Sequence, residues 1–178
     1  LQAQTSLLKN LYDPSTSDVV YVPDTNALLY NSALEKWQFD GVPSFALVFT
    51  PTILSELDAL KINHRNQNVR KKAETLIKQI KEFRRRGRLA DGVPLVKGKS
   101  TVYAVATEPN MQDSLPWLDS SNNDDRFLAA VIEVMRLRPR SAVYAISRDI
   151  NFQNKAEFAR IPFVEPPEPI PTAKRSAL

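Results

Sequence analysis

The sequence predicts an α/β fold made of one mainly parallel sheet with helices on both faces. Short runs of apolar, mostly β-branched or aromatic residues recur without polar alternation, which is typical of strands buried on both faces of a sheet. Helical patterns separate these runs, as the crossover connections between parallel strands require. The chain has 178 residues, the usual size of one domain. We therefore expect a single α/β domain.

The first part of the chain predicts two strands and one helix after a short arm. Leucines at helical spacing within residues 1–18, followed by a run of turn formers, predict a helical N-terminal arm and a loop. Residues 19–22 (Val-Val-Tyr-Val) predict a buried strand, and residues 27–37 follow a helical pattern. Residues 45–49 (Phe-Ala-Leu-Val-Phe) predict the second strand.

The middle of the chain is predicted to be mainly helical. A Thr-Pro pair typical of a helix start precedes a helix expected over residues 51–61. Apolar residues three and four positions apart predict an amphipathic helix over residues 66–86. Residues 89–96 contain glycine and proline and are predicted as a loop, and residues 101–106 as a short strand.

The last part of the chain begins with a long loop. Residues 107–123 are polar, contain two prolines and lack a period, so we expect either a lid over the site or an ordered, packed loop. Further helices and strands are predicted at residues 124–138, 142–146, 154–160 and 162–164. We assign the domain to residues 19–164 and expect the proline-rich residues 165–178 to form a C-terminal tail or linker.

The basic residues of the chain are concentrated in one segment. The net charge is +4, but residues 61–88 hold eleven Lys and Arg against two acidic residues and carry +9 alone. A basic band of this kind is typical of a protein that follows a phosphate backbone, with a solvated helix face as the alternative. The strongest candidates for phosphate contacts are Arg84, Arg85, Arg86 and Arg88.

The composition excludes several classes of protein. No cysteine is present, so disulfides, thiolate metal sites and cysteine nucleophiles are ruled out. No run approaches the roughly 20 apolar residues of a membrane span, and the first residues lack the pattern of a signal peptide. No Gly-rich phosphate-binding loop of the Gly-x-x-x-x-Gly-Lys type occurs. We expect a cytoplasmic protein that does not bind membranes and that can be a piece of a longer chain.

Acidic residues from distant segments are expected at one edge of the sheet. In parallel sheets the carboxyl ends of the strands meet at the ligand-binding edge. Carboxylates that converge there repel one another and require cations. An all-oxygen donor set selects Mg²⁺ or Mn²⁺, and zinc is not expected with a single histidine and no cysteine. The candidate ligands are Asp24, Glu56, Asp124, Asp125 and Asp149.

Each acid also has an ordinary interpretation as a turn former, a helix N-terminal charge or a surface residue. Their common edge and their polar neighbours favour the functional interpretation, because such neighbours can orient a carboxylate. These neighbours include Thr25, Asn26, Asn123 and Ser147.

Four motifs in this order resemble those of the PIN domains, a family of metal-dependent nucleases. They lie at residues 20–26 (Val-Tyr-Val-Pro-Asp-Thr-Asn), 53–60 (Ile-Leu-Ser-Glu-Leu-Asp-Ala-Leu), 122–130 (Asn-Asn-Asp-Asp-Arg-Phe-Leu-Ala-Ala) and 146–156 (Ile-Ser-Arg-Asp-Ile-Asn-Phe-Gln-Asn-Lys-Ala). The resemblance covers residues 19–164. It is strongest to the PIN domains of nonsense-mediated-decay endonucleases and to those that precede PhoH-type ATPases.

The resemblance implies an endoribonuclease that hydrolyses phosphodiester bonds in single-stranded RNA with Mg²⁺ or Mn²⁺. By motif position, the catalytic and metal-binding acids would be Asp24, Glu56, Asp125 and Asp149, with Asp124 as the rival for the third place. Thr25 and Asn26 would orient Asp24, Ser147 would act near the scissile phosphate, and Asn123 would support the site. A homo-oligomer, a fused further domain and an inhibitor protein remain open as partners.

Two other functions compete with this one. A PIN-like domain that binds RNA or protein without cutting would be expected to have lost some of the acids. A Mg²⁺ phosphotransferase of the haloacid-dehalogenase kind would need a second acid at the position of Asn26. His64 is a weak candidate for a general base, and Trp37 and Trp117 are weaker candidates for base stacking than for packing.

Overall fold

The computed structural model describes residues 18–106 and 108–170. Within them a six-stranded sheet has the order β3-β4-β2-β1-β5-β6. Its strands are β1 (Val19–Pro23), β2 (Phe45–Phe49), β3 (Val93–Val96), β4 (Ser100–Ala104), β5 (Ala142–Ile146) and β6 (Phe163–Val164). Neighbouring strands are parallel except for the β3/β4 pair. The predicted α/β class with a mainly parallel sheet is confirmed.

Helices connect the strands of this sheet. They are α1 (Thr25–Tyr30), α2 (Pro51–Asn63), α3 (Gln67–Arg86), α4 (Asn123–Leu137) and α5 (Ile150–Phe158), with short 3₁₀ turns at Leu34–Lys36 and Met111–Asp113. The helix predicted over residues 66–86 is confirmed as α3, and its apolar stripe (Ala73, Leu76, Ile77, Ile80 and Phe83) is buried. The arm predicted over residues 1–18 falls, except for Asp18, outside the described residues.

The central strands form the middle of the core, as their unbroken apolar sequence predicts. All five residues of β2 are buried, and Val20 and Val22 of β1 are fully inaccessible. Tyr21 of β1 lies between Leu47 and Tyr144 of the flanking strands. Burial of such side chains is worth roughly 1.5–3 kcal/mol each, so this packing fixes the position of the strand ends.

Three local expectations from the sequence are wrong. The helix predicted over residues 27–37 ends at Tyr30, because the backbone at Asn31 becomes extended. Residues 93–96, predicted as loop, form an edge strand, where a proline is tolerated because its missing N–H faces away from the sheet. The last helix begins at Ile150 rather than residue 154, because Asp149 caps it.

The proline-rich segment returns to the domain over its described part. The side-chain amide of Asn31 donates a hydrogen bond to the carbonyl of Pro167 at 2.9 Å, and the Tyr30 hydroxyl donates one to the Glu168 carboxylate. Pro166 is buried. The prediction of a tail over residues 165–178 is otherwise untested, since residues 171–178 lie outside the described part. No helix of the described ranges combines the length and apolar character that crossing a membrane needs.

Candidate functional site

Asp24 lies directly beyond the carboxyl end of β1, where backbone and side-chain hydrogen bonds fix it. Its backbone N–H donates to the carbonyl of Ile146, the last residue of β5, at 2.8 Å. Its side chain caps α1 and accepts from the N–H of Ala27 at 2.6 Å. The strand pairing of β1 with β5 therefore determines where this carboxylate stands.

Glu56 reaches the same place from α2. The hydroxyl of Thr25, a residue only 6% exposed, donates a hydrogen bond to Oε2 of Glu56. Thr25 follows β1 and Glu56 lies in the second turn of the helix after β2, so this bond joins segments that follow adjacent strands. The structure thus gives Thr25 a contact with Glu56, where the sequence predicted that it orients Asp24.

Asp149 and Ser147 follow β5. The Asp149 carboxylate caps α5 and accepts from the N–H groups of Asn151 at 2.8 Å and Phe152 at 3.1 Å. Ser147 is fully buried, and its Oγ accepts from the backbone N–H of Asp149 at 3.0 Å. The same hydroxyl hydrogen-bonds to the carboxylate of Asp24. Ser147 therefore connects two of the predicted acids.

The two neighbouring aspartates at the start of α4 have different surroundings. Asp125 is 5% exposed; its Oδ1 lies 2.6 Å from Nζ of Lys155, and its Oδ2 accepts from the N–H of Asp119 at 2.9 Å. Asp124 instead lines the cavity that Asp24 also lines, and Asp125 does not. The structure therefore separates the two candidates that the sequence left in competition, with Asp124 beside the other acids.

A cavity of about 510 Å³ gathers these groups. It brings together four of the predicted acids, Asp24, Glu56, Asp124 and Asp149, and the supporting residues Thr25, Asn26 and Asn123. Ser147 lies behind it, hydrogen-bonded to Asp24. The rest of its lining consists of Ala59, Leu60, Asn63, His64, Phe127 and Phe152.

The electrostatics of the cavity disfavour the ionised forms of Asp24 and Asp124. The pKa of Asp24 is raised to about 6, mainly by burial and to a smaller extent by the charges of Asp149 and Glu56, with the hydrogen bonds from Ser147 and Ala27 acting in the opposite direction. Burial also raises the pKa of Asp124, with the charge of Asp149 acting in the same direction and Lys155 opposing it. A cation nearby would stabilise the ionised form of such a carboxylate.

The donor chemistry fits a hard divalent cation, because every acidic group at the cavity offers carboxylate oxygen. As they stand, however, no three His, Asp or Glu side chains in the described ranges are grouped closely enough to hold one ion. Three of the acids instead have hydrogen-bond partners within the chain: Glu56 is bonded to Thr25, and Asp24 and Asp149 to the first turns of α1 and α5. An ion bound here would compete with these hydrogen bonds for the carboxylate oxygens.

The predicted RNA-binding arginines lie apart from this cavity. Arg84, Arg85 and Arg86 form the last turn of α3 and Arg88 follows it. Arg84 and Arg88 line a second cavity of about 520 Å³ together with Pro51 at the start of α2. Their role in RNA binding stays a prediction.

The weaker candidates also have defined places. Trp37 is buried and its indole N–H donates to the carbonyl of Asn31 at 3.0 Å, which is a packing role. Trp117 is 40% exposed and meets the ring of Phe158 edge to face. His64 lines the main cavity.

Sequence reasoning missed two features of the site. One is Lys155, which was quoted within a motif but given no role, and whose partner Asp125 is thirty residues away. The other is the face of α2 beyond Glu56, which contributes Leu60 and Asn63. The helical period counted forward from Glu56 would have found this face, whereas no signal in a single sequence pairs Lys155 with Asp125.

The comparisons with known proteins agree with this geometry. The sequence model of the PIN domain family matches residues 21–165, which is most of the chain. The chain therefore belongs to the PIN domain family, whose members are generally nucleases and typically use divalent metal ions. A search of curated proteins found no match.

Proposed function

We propose that this PIN domain is a metal-dependent endoribonuclease that hydrolyses phosphodiester bonds of single-stranded RNA. The observation that carries the proposal is the convergence of four carboxylates, from four separate segments, on one cavity. They follow β1, lie on α2, open α4 and follow β5. Clustered acids of this kind are costly for the fold without cations, which points to a function that uses them.

We assign the third acid to Asp124 rather than Asp125. Asp124 faces the cavity, whereas both carboxylate oxygens of Asp125 are engaged by Lys155 and the backbone of Asp119. Asp125 then positions the start of α4 and holds it against α5. This assignment keeps the other acids predicted from the sequence.

Mg²⁺ or Mn²⁺ would be held by Asp24, Glu56, Asp124 and Asp149. When bound, the cation neutralises the phosphodiester and lowers the pKa of the attacking water. The chain supplies the positioning: Thr25 orients Glu56, and Ser147 links Asp24 to the backbone of Asp149. The amides of Asn26 and Asn123 at the cavity wall offer hydrogen bonds to phosphate oxygens.

Single-stranded RNA is the proposed substrate. The positive charge of residues 61–88 supports this choice, because such a segment can contact the phosphates of an anionic polymer. We further propose that the domain is closest to the PIN domains of nonsense-mediated-decay endonucleases and of PhoH-type proteins, on the motifs quoted above. A cytoplasmic location, a homo-oligomer and an inhibitor protein stay predictions.

A cleavage assay tests the proposal. An end-labelled unstructured RNA is incubated with the protein in EDTA, Mg²⁺ or Mn²⁺, beside Asp24→Asn and the exposed control Asp58→Asn. We expect internal cleavage that requires the metal. Its rate should fall at least about 100-fold in Asp24→Asn and should be unchanged in the control. Equal cutting by Asp24→Asn would contradict the site, and binding without cutting would favour a non-catalytic PIN domain.

A further inference from the structure

One face of α2 extends the cavity away from the carboxylates. Glu56, Ala59, Leu60, Asn63 and His64 follow one another at helical spacing, and all five line the cavity. Asn63 lies seven positions after Glu56, which is about 10 Å along a helix axis. The cavity therefore continues roughly two turns beyond the acid that α2 contributes.

The far part of the cavity has a different chemical character from the acidic part. Leu60 lines it from α2, and Phe127 lines the cavity from α4, where its largely buried ring lies 4.9 Å from the ring of Phe152. The polar groups there are the amide of Asn63 and the ring of His64. An apolar wall with few polar groups is typical of pockets that take a flat heterocycle, and an amide can pair with the edge of a base.

The ring of His64 is held in one orientation by the turn between α2 and α3. Its Nδ1 accepts a hydrogen bond from the backbone N–H of Asn66 at 3.1 Å. A neutral imidazole that accepts at Nδ1 carries its hydrogen on Nε2, which is then a donor. The turn after α2 therefore leaves Nε2 as the ring atom that can donate a hydrogen bond to a ligand.

We propose that Leu60, Asn63, His64 and Phe127 form a base-binding subsite for the nucleotide next to the scissile phosphate. The inference rests on the proposed function, since it requires the phosphate to lie at the acids. With the phosphate beside Glu56, the neighbouring base reaches along α2 to Asn63 and His64. The apolar walls then bury the base faces, while the amide and imidazole select among base edges.

The cleavage test uses single-stranded RNAs that vary at one nucleotide on either side of a single cut. The wild-type chain should prefer one base at one flanking position, and Asn63→Ala and His64→Asn should each reduce that preference by about tenfold. Asparagine at position 64 keeps an acceptor for the Asn66 N–H while removing the ring, so the turn is retained. Asn68→Ala, an exposed amide on α3 outside the cavity lining, should retain the full preference.

A binding test separates this inference from the proposed function. Nucleoside 5′-monophosphates are compared with ribose 5-phosphate in Mn²⁺. In wild type the sugar phosphate should bind about tenfold more weakly than the preferred nucleotide, and this difference should narrow in each variant. If RNA is cut but neither variant changes the base preference, the subsite is overturned and the nuclease stands. If no RNA is cut, the proposed function fails, and equal binding of the two ligands would overturn the subsite as well.

Discussion

At the scale of single residues, adjacent side chains acquire different roles from their surroundings. Asp124 and Asp125 share the first turn of α4, and Asn122 caps both of their backbone N–H groups. A helix turns by about 100° per residue, so neighbours in sequence point to different surfaces. One carboxylate faces the cavity and the other is buried against Lys155.

This difference predicts opposite results for two conservative substitutions. Asp125→Asn should lower the free energy of unfolding by about 2 kcal/mol, because it leaves the Lys155 charge without its partner. Asp124→Asn should leave stability unchanged or raised in metal-free buffer and should remove cleavage. Urea denaturation and the RNA assay measure the two effects; loss of cleavage in Asp125→Asn without loss of stability would contradict the assignment.

The buried position of Asp24 predicts how stability depends on pH. Below pH 3.8 the carboxyl group is protonated in both the folded and the unfolded chain, whereas between pH 3.8 and about 6 only the unfolded chain ionises it. The free energy of unfolding therefore falls as the pH rises through this range. An asparagine side chain cannot ionise, so Asp24→Asn removes this loss. In metal-free buffer the free energy of unfolding of the variant should exceed that of wild type by roughly 2–3 kcal/mol at pH 7.

Denaturation in EDTA at pH 4 and pH 7.5 measures this advantage. Asparagine is also a good N-cap, so the start of α1 is retained in the variant. Asp58→Asn, which changes an exposed aspartate of α2, serves as the control. A gain of similar size in the control, or a gain in Asp24→Asn that does not grow with pH, would rule out this account of Asp24.

At the scale of elements, α3 separates its apolar and basic residues, and its last turn carries the arginines. Arg85 pairs with Glu82 at 3.3 Å, and Arg86 donates to the carbonyl of Pro94 at 3.3 Å and lies over the ring of Phe83. Arg84 borders the second cavity. Arg86 therefore joins the end of α3 to β3, whereas Arg85 pairs within its own helix, so Arg84 and Arg85 are the better choices for a binding test.

Neutralising Arg84 and Arg85 should weaken RNA binding and flatten its salt dependence. Each lost phosphate contact reduces the slope of log affinity against log salt by about 0.7 for a single strand. The matched control is Lys97→Ala with Lys99→Ala. These two exposed residues lie in the turn between β3 and β4, at the amino ends of the parallel strands and so away from their carboxyl ends. Fluorescence anisotropy between 50 and 200 mM salt measures both pairs, and an unchanged slope for the arginine pair would identify a solvated helix end.

The long segment before α4 connects the surface to the site. It contains the 3₁₀ turn at Met111–Asp113 and the Trp117 contact with Phe158, and the N–H of Asp119 binds Asp125. Shortening residues 111–117 should change RNA cleavage more than stability, because the closure entropy of a loop changes by only about 0.6 kcal/mol per doubling of length. Amide hydrogen exchange measures its motion, and strong protection across residues 110–118 in the free protein would refute a lid.

At the scale of the whole molecule, the fold was more predictable than the site. Unbroken apolar runs located β1, β2 and β5 because central parallel strands are buried on both faces. The acids were predicted at one edge of the sheet by a second rule, that the carboxyl ends of parallel strands meet at the ligand-binding edge. The Thr25 contact with Glu56 and the Lys155 pair with Asp125 depend on how elements pack, which no local pattern encodes. The edge strand β3 was missed because its proline and short length resemble a loop.

The central claim is that the four carboxylates close around a divalent cation, and a crystal soaked in Mn²⁺ tests it most directly. The account predicts anomalous density in the main cavity, with oxygens of Asp24, Glu56, Asp124 and Asp149 turned toward it and Asp125 still paired with Lys155. Mn²⁺ has octahedral preferences that these oxygen donors suit. An empty cavity in which the four carboxylates point apart at saturating Mn²⁺ would contradict it.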